Sequence, residues 1–178
     1  MFNFPSAGTE SGPADVVELL LDCHQRIRHF SELARRLGEA DGLPGGEVRD
    51  AAARVRRYFG EALPLHVADE EESLVPRLRG REPEIDAALE RMTSEHQAHQ
   101  PGLAALLELC EALESTPARH TELRGALLET ATALQAEFES HLAEEERVLI
   151  PALQRLFPAE ERATMADEVR ARRRNAWA

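Results

Sequence analysis

The chain has 178 residues, a formal net charge of −12 and only 4% aromatic residues. That length suffices for one well-cored domain, and the abundance of Ala, Leu, Glu and Arg favours helices over strands. The negative charge disfavours nucleic acid and membranes as partners, and two isolated cysteines favour neither a disulfide framework nor a cysteine-based metal site. No uncharged apolar run of eighteen residues occurs and the first residues lack a signal-peptide pattern, so we expect a cytoplasmic all-α protein.

The predicted elements begin with an arm at residues 1–13, where Phe, Pro and Gly follow no helical or strand period. Apolar residues spaced three and four apart then predict a first helix over about 14–37, with His24 in its apolar stripe. A Gly-rich segment reverses the chain, and a second helix is predicted over about 47–79. Pro64 predicts a kink in this helix, because a helical proline clashes with the carbonyl four residues before it.

A third helix is predicted over about 84–114 and a fourth over about 117–156. Pro101 predicts a second disturbance, this time in the third helix. Residues 158–178 are predicted to form a short fifth helix that ends in a basic tail of arginines. Because short connections make neighbouring long helices antiparallel, we expect an up-down-up-down four-helix bundle over residues 14–157.

One stretch of the sequence occurs twice. A His-x3-Glu sequence beginning at His66 recurs 75 residues later at His141, with Ala, Glu, Leu and Pro in register. On a helix, residues four apart lie about 40° apart on one face, so each copy directs an imidazole and a carboxylate to the same point. One further histidine precedes each copy, so the chain reads as a duplicated two-helix unit. The candidate metal ligands are His24, His66, Glu70, His96, His141 and Glu145.

These residue types point to a metal pair. Imidazole and carboxylate ligands without sulfur suit iron, manganese or zinc, and two carboxylates can bridge metal ions about 3.5–4 Å apart. The alternative is that each histidine is a hydrogen-bonded core residue and each glutamate a solvated surface residue. Burying six such groups without a metal would leave several unsatisfied, at about 1–3 kcal/mol each. We therefore predict a dinuclear non-haem site.

The whole pattern resembles the hemerythrin-like HHE cation-binding domain family. The resemblance extends from about Val16 to Leu156 and rests on one histidine followed by His-x3-Glu, twice, each copy continuing with Leu-Val/Ile-Pro. It implies a bundle of four antiparallel helices around two iron ions, with the glutamates as bridging ligands and the histidines as terminal ligands. In this family such centres bind dioxygen, nitric oxide or peroxide, store or sense iron, or take part in stress responses.

The sequence departs from the oxygen-carrying hemerythrins at two positions. Their third helix has two histidines four apart, whereas His96 and His99 are three apart. Their fourth helix has an aspartate five residues after its histidine, whereas Glu145 follows His141 by four and Glu146 by five. Both departures weigh against reversible oxygen carriage. The ferritin-like di-iron class requires Glu-x-x-His, a spacing that this sequence lacks.

His99 is a seventh candidate metal ligand. It occupies the position that Ile27 has in the first copy of the duplicated unit, which predicts that it faces inward beyond His96. The alternatives are that His99 contacts a ligand residue without binding metal itself, or that it is a hydrogen-bonded histidine of the core.

The remaining acidic, histidine and aromatic residues of these helices have less specific interpretations. We interpret four glutamates as a solvated acidic edge, two of which could replace a ligand, and two histidines as surface residues. Phe59 is expected to line the pocket, and Tyr58 is a weaker candidate for donating a hydrogen bond to a bound ligand. The edge glutamates are Glu71, Glu72, Glu144 and Glu146, and the two surface histidines are His29 and His120.

Three functions remain open at this point. The first is a module that binds a diatomic ligand, peroxide or iron for sensing, storage or protection. The second is an enzyme that decomposes hydrogen peroxide or reduces nitric oxide, and the third is a bundle whose metal, such as zinc, only stabilises the fold. The ligands are common to all three, and the sequence gives no oligomeric state.

Overall fold

The computed structural model describes residues 15–176, and within that range the chain is helical without strands. This confirms the all-α prediction, whereas the predicted arm at 1–13 lies outside the described residues. Within this described range, every helix is too short or too polar to cross a membrane.

Five helices, here called α1 to α5, follow the predicted order. Asp15 begins α1, because its carboxylate accepts a hydrogen bond of 3.1 Å from the Val17 amide. Several helices consist of consecutive segments. They are α1 (Val16–Glu39); α2 (Gly45–Arg57, Tyr58–Ala62, Leu63–Ala68, Asp69–Leu74 and Val75–Leu78); α3 (Pro83–Ala98 and Gln100–Ser115); α4 (Pro117–Arg119, His120–Glu144, Glu145–Leu149 and Ile150–Leu156); and α5 (Ala159–Ala176).

Segments of π-helix interrupt α2 and α4 just before prolines. They are Tyr58–Ala62 before Pro64, Asp69–Leu74 before Pro76 and Glu145–Leu149 before Pro151. Because proline lacks an amide proton and crowds the carbonyl four residues earlier, the regular hydrogen-bond ladder cannot continue there. The predicted disturbances therefore take the form of wider turns, and α3 is likewise divided at His99, just before Pro101. Two of the π segments contain Glu70 and Glu145.

The buried apolar residues form two clusters, one on each side of the candidate ligands. In α1, for example, Leu20 belongs to the first cluster and Ile27 to the second, with His24 between them. Along α2, α3 and α4, the buried apolar residues likewise belong to one cluster before the candidate ligands and to the other cluster after them. Helix α5 adds Met165 and Val169 to the first cluster. The polar residues therefore lie in mid-bundle with an apolar core above and below.

Helices α1 and α3 each pack against both α2 and α4, and α5 packs against α1 and the π segment Asp69–Leu74. Close packing of α1 on α4 depends on Gly38, where an added Cβ would lie 2.6 Å from the backbone nitrogen of Leu128. The four long helices thus enclose the site, and α5 covers it from one side.

Candidate metal centre

Six buried side chains from four helices meet in mid-bundle, and they are the six residues that carry the repeated sequence pattern. Their potential ligand atoms form two groups, and within each group these atoms lie within 4.8 Å of one another. One group consists of His24, His66, Glu70 and Glu145, and the other of Glu70, His96, His141 and Glu145. The two glutamates belong to both groups.

Each glutamate divides its two carboxylate oxygens between the groups. Oε1 of Glu70 lies 3.1 Å from Nε2 of His66, and its Oε2 lies 3.2 Å from Nε2 of His96. Oε1 of Glu145 lies 3.0 Å from Nε2 of His141, and its Oε2 lies 3.2 Å from Nε2 of His24. This is the arrangement that two carboxylates need to bridge a pair of cations.

Many of these buried atoms have no hydrogen-bond partner among the described residues. They include both carboxylate oxygens of Glu145, Oε2 of Glu70, and the Nε2 atoms of His24, His66 and His96. Although they approach one another within about 3 Å, their geometry is not that of hydrogen bonds. Each unsatisfied buried group costs about 1–3 kcal/mol, and a cation between them would satisfy several at once. The residues present therefore fit a cation site.

Three of the four histidines have a carboxylate beside their other ring nitrogen. The pairs are His24 Nδ1 with Glu146 at 3.0 Å, His96 Nδ1 with Glu71 at 3.0 Å, and His141 Nδ1 with Glu95 at 2.7 Å. A proton held on Nδ1 by the carboxylate leaves the Nε2 lone pair directed at the metal position.

These contacts correct part of the sequence interpretation. Glu71 and Glu146 are not simply a solvated edge, since each contacts a candidate ligand histidine on a neighbouring helix. They occupy equivalent positions in the two copies of the duplicated unit, which was a signal for a shared role. Glu95 was not singled out at all, because its partner His141 lies on another helix and sequence spacing does not reveal that register.

His66 is the exception, because its Nδ1 has no hydrogen-bond partner within the described range. The duplication explains this difference. The position that Glu95 occupies beside His141 corresponds, in the other copy, to Cys23 beside His66. The sulfur of Cys23 instead accepts a hydrogen bond of 3.3 Å from Arg173 of α5.

The electrostatics of the metal-free cluster are uneven. Burial, reinforced by the nearby Glu145 carboxylate, raises the pKa of Glu70 well above its usual range. Burial also opposes ionisation of Glu145, but the close imidazoles of His141 and His24 outweigh it and lower the pKa of this carboxyl. Burial lowers the pKa of His66 to about 3. For His141 burial acts in the same direction, but contacts with Glu145 and other carboxylates raise its pKa to about 9. Without a bound cation, protons on Glu70 and His141 therefore offset the negative charge of the buried carboxylates.

His99 lies beside the cluster but outside both groups. Its ring contacts Phe138 at 4.9 Å and His141 at 5.3 Å, measured between ring centroids, and only 5% of the residue is exposed. Burial lowers the pKa of His99 to about 4, so the imidazole is neutral at physiological pH. Its role as a ligand stays a prediction.

The other singled-out residues lie further from the cluster. His29 is exposed as expected, whereas the surface position predicted for His120 is wrong: it is buried, and its Nε2 lies 2.8 Å from the Leu37 carbonyl at the end of α1. Phe59 lines the pocket beside the site, but the Tyr58 hydroxyl donates to the Cys23 carbonyl at 3.4 Å. Glu72 and Glu144 form surface ion pairs with arginines.

The geometry agrees with a comparison to known families. Residues 15–153 match the family described as the hemerythrin HHE cation binding domain. The chain belongs to this family. The match confirms the resemblance seen in the sequence, and it makes this a cation-binding HHE domain whose buried His and Glu residues fit a metal centre. No match was found among curated proteins.

The HHE match ends before α5, yet α5 contacts the π segment of α2 that contains Glu70. Asp69, next to Glu70, is fully buried, and its carboxylate forms ion pairs with Arg172 and Arg173 of α5. Burial raises the pKa of Asp69 although Arg173 opposes that shift. Sequence periodicity does not reveal this contact, because it joins residues about one hundred positions apart.

Proposed function

We propose that this HHE chain holds two iron ions bridged by Glu70 and Glu145. We further propose that it binds dioxygen, nitric oxide, peroxide or iron itself at this pair, for sensing, storage or stress protection. The observation that carries the proposal is the division of each carboxylate between the two groups of ligand atoms. Each group then offers two imidazole nitrogens and two carboxylate oxygens, a donor set that suits iron, with manganese or zinc as alternatives.

The proposal includes the up-down-up-down antiparallel bundle that the short connections predict. Contacts between α1 and α4 support it, because residue numbers fall along one helix as they rise along the other. His24 lies near Glu145, Arg28 pairs with Glu139, and the Leu37 carbonyl meets His120.

The protein's own residues have distinct roles in this proposal. The four histidines would present Nε2 to the metal, and carboxylates hold the Nδ1 protons of three of them. The two apolar clusters lie on either side of the ligand side chains and limit their contact with water. An iron pair would supply redox reactivity and open coordination positions. The proposed compartment is the cytoplasm, which the free thiols of Cys23 and Cys110 support. Neither nucleic acid nor a membrane is proposed as a partner, given the net charge of −12.

The test is metal analysis combined with visible spectroscopy of the intact chain and three variants. We expect about two iron ions per chain, because six N/O ligands supply two sites only if the carboxylates are shared. Glu70→Ala and Glu145→Ala should each lower the occupancy of both ions together. Glu72→Ala is the matched control, since its side chain is 67% exposed and pairs with Arg172 on the surface.

A fully loaded chain with one metal ion would contradict the bridged pair. So would a loss of metal in Glu72→Ala as large as that in Glu70→Ala. Zinc in place of iron, without any spectral response to azide or peroxide, would favour a structural metal.

A further inference from the structure

A cavity of about 360 Å³ lies between α2 and α3 and reaches the metal centre. Its inner end is formed by histidines, among them His96, His99 and His141. Its outer end contains the small, exposed residues Gly60 and Ala104. It lies where α2 contains the π segment Tyr58–Ala62 and where α3 is divided, so both helices depart from regular geometry at this place.

The cavity is larger than a diatomic ligand needs. One water molecule occupies about 30 Å³ in the liquid, and pockets for small organic molecules begin at about 300 Å³. Between the histidines and the outer end the walls are apolar, with Phe59, Leu63 and Leu103 among them. Walls of this kind favour an aliphatic or aromatic body over a hydrated ion.

The duplication provides an internal comparison. The interface of α4 with α1 is the counterpart of the α2–α3 interface, and there the equivalent positions carry polar side chains. Gly60, Pro64, Gln100, Leu103 and Ala104 correspond to Gln135, Glu139, Arg28, Ser31 and Glu32.

These polar residues line a cavity of about 290 Å³ at the counterpart interface and make specific contacts across it. Arg28 forms an ion pair of 2.9 Å with Glu139 and another of 2.9 Å with Glu146, and Gln135 donates to Glu32 at 3.3 Å. The two copies of the unit have therefore diverged into one interface whose cavity has largely apolar walls and one whose cavity is lined by polar side chains and crossed by an ion pair.

The inner end of the cavity offers hydrogen-bonding atoms without partners. The His99 imidazole makes no hydrogen bond in the part of the chain that the structure describes, although only 5% of the residue is exposed. An imidazole has one donor and one acceptor nitrogen when neutral, which matches a hydroxyl, carboxyl or hydroperoxide group.

We propose that this cavity binds a small amphipathic organic molecule, with its aliphatic body between α2 and α3 and one oxygen-bearing head group beside His99 and the metal centre. The inference rests on the proposed function for the contact of the head group with metal. The apolar part of the site requires no metal. It follows that the HHE centre of this chain receives an organic ligand, and not only a diatomic one.

The experiment measures binding of octanoate, acetate and 1-octanol by calorimetry, together with the metal content of each preparation. Gly60→Leu fills the outer end of the cavity, and it should fold normally because a Cβ there would lie 3.7 Å from Leu107, an ordinary contact. Gln135→Leu introduces the same residue at the equivalent position of the polar interface and serves as the control.

We expect octanoate to bind at least tenfold more tightly than acetate to the metal-loaded chain. Gly60→Leu should weaken octanoate and 1-octanol at least tenfold while leaving metal content and acetate binding unchanged, and Gln135→Leu should change neither. Equal affinities for octanoate and acetate, or equal losses in both leucine variants, would overturn the proposal.

The two proposals fail in different ways. If the chain holds no metal but 1-octanol still binds and Gly60→Leu removes that binding, the cavity site stands and the proposed metal function falls. If two metal ions are present and no aliphatic probe binds, the cavity site falls and the metal function stands.

Discussion

His66 differs from the other three candidate ligand histidines at its outer ring nitrogen, which has no partner within residues 15–176. A carboxylate on that nitrogen orients the ring and makes the other nitrogen a stronger ligand. His141 has this support from Glu95, at 2.7 Å. Where the duplication would place the same carboxylate beside His66, the chain has Cys23. In the proposed metal pair, the two positions would therefore differ in the strength of their histidine ligands.

Removal of the Glu95 carboxylate should weaken metal binding. For Glu95→Ala we expect a loss of affinity of about 10–100-fold, the usual effect of removing such a partner. Cys23→Ala, at the equivalent position, should change the affinity much less, because the thiol provides no carboxylate. Competition with a chelator of known affinity measures both. Equal losses in the two variants would show that the outer carboxylate is unimportant.

His99→Ile restores the residue that the first copy of the unit has at this position. Because His99 lies outside both groups of ligand atoms, we expect two metal ions to remain bound and the visible spectrum to stay unchanged. Metal analysis and azide titration of the intact chain check this expectation. A shifted spectrum with altered azide binding would instead make His99 the seventh ligand that the sequence predicts.

At the scale of elements, α5 supports the π segment that contains Glu70. Its Arg172 and Arg173 neutralise the buried Asp69 carboxylate next to that ligand. A buried carboxylate deprived of a cationic partner is strongly unfavourable, so this contact fixes the position of the segment. The C-terminal helix is therefore part of the metal site's support even though it lies beyond the HHE match.

Arg173→Gln should destabilise the chain and loosen its metal. Loss of one charged hydrogen bond to a buried group costs about 2 kcal/mol, which lowers the Tm of a domain of this size by about 4–8 °C. Arg155→Gln is the control, because Arg155 pairs with Glu82 in a surface contact of little expected value. Thermal unfolding followed by circular dichroism compares the two. A Tm for Arg173→Gln no lower than that of the control would contradict this role for α5.

The sequence predicted the helices closely, since apolar periodicity, glycines and prolines mark their ends. It predicted disturbances in the second and third helices but not the one before Pro151 in the fourth. It also did not predict that the departures are π turns, because proline specifies a disrupted hydrogen bond and not its replacement. The six clustered residues followed from an internal repeat. Partners on neighbouring helices, such as Glu95 for His141 or Leu37 for His120, depend on interhelical register, which single-chain periodicity does not contain.

At the scale of the whole molecule, some of the side chains expected to bind cations are protonated when no cation is bound. The pKa of His141 is raised to about 9 and that of Glu70 is also raised, so below pH 9 the metal-free chain carries protons that a metal must displace. Metal ligands must be neutral imidazoles and ionised carboxylates. Metal binding is therefore coupled to proton release throughout the neutral range.

The coupling gives a direction for the effect of pH. Apparent metal affinity should rise with pH by up to tenfold per unit for each proton displaced, and it should level off above about pH 9, where His141 loses its proton without metal. Calorimetric titration with Zn²⁺ at pH 6, 7 and 8, in buffers of different ionisation enthalpy, measures the affinity and the protons released. Affinity that is independent of pH, with no proton release, would contradict it.

The two unlike interfaces also bear on how such a chain can evolve. Neither interface lies within one two-helix unit: each joins a helix of the first unit to a helix of the second. If two copies of the first unit were paired, Gly60 and Pro64 of one copy would face Arg28 and Glu32 of the other. Neither the cavity nor the Arg28–Glu139 ion pair would form. The duplicated chain can therefore no longer be replaced by a dimer of one two-helix unit. Each unit now has residues that fit only the other unit.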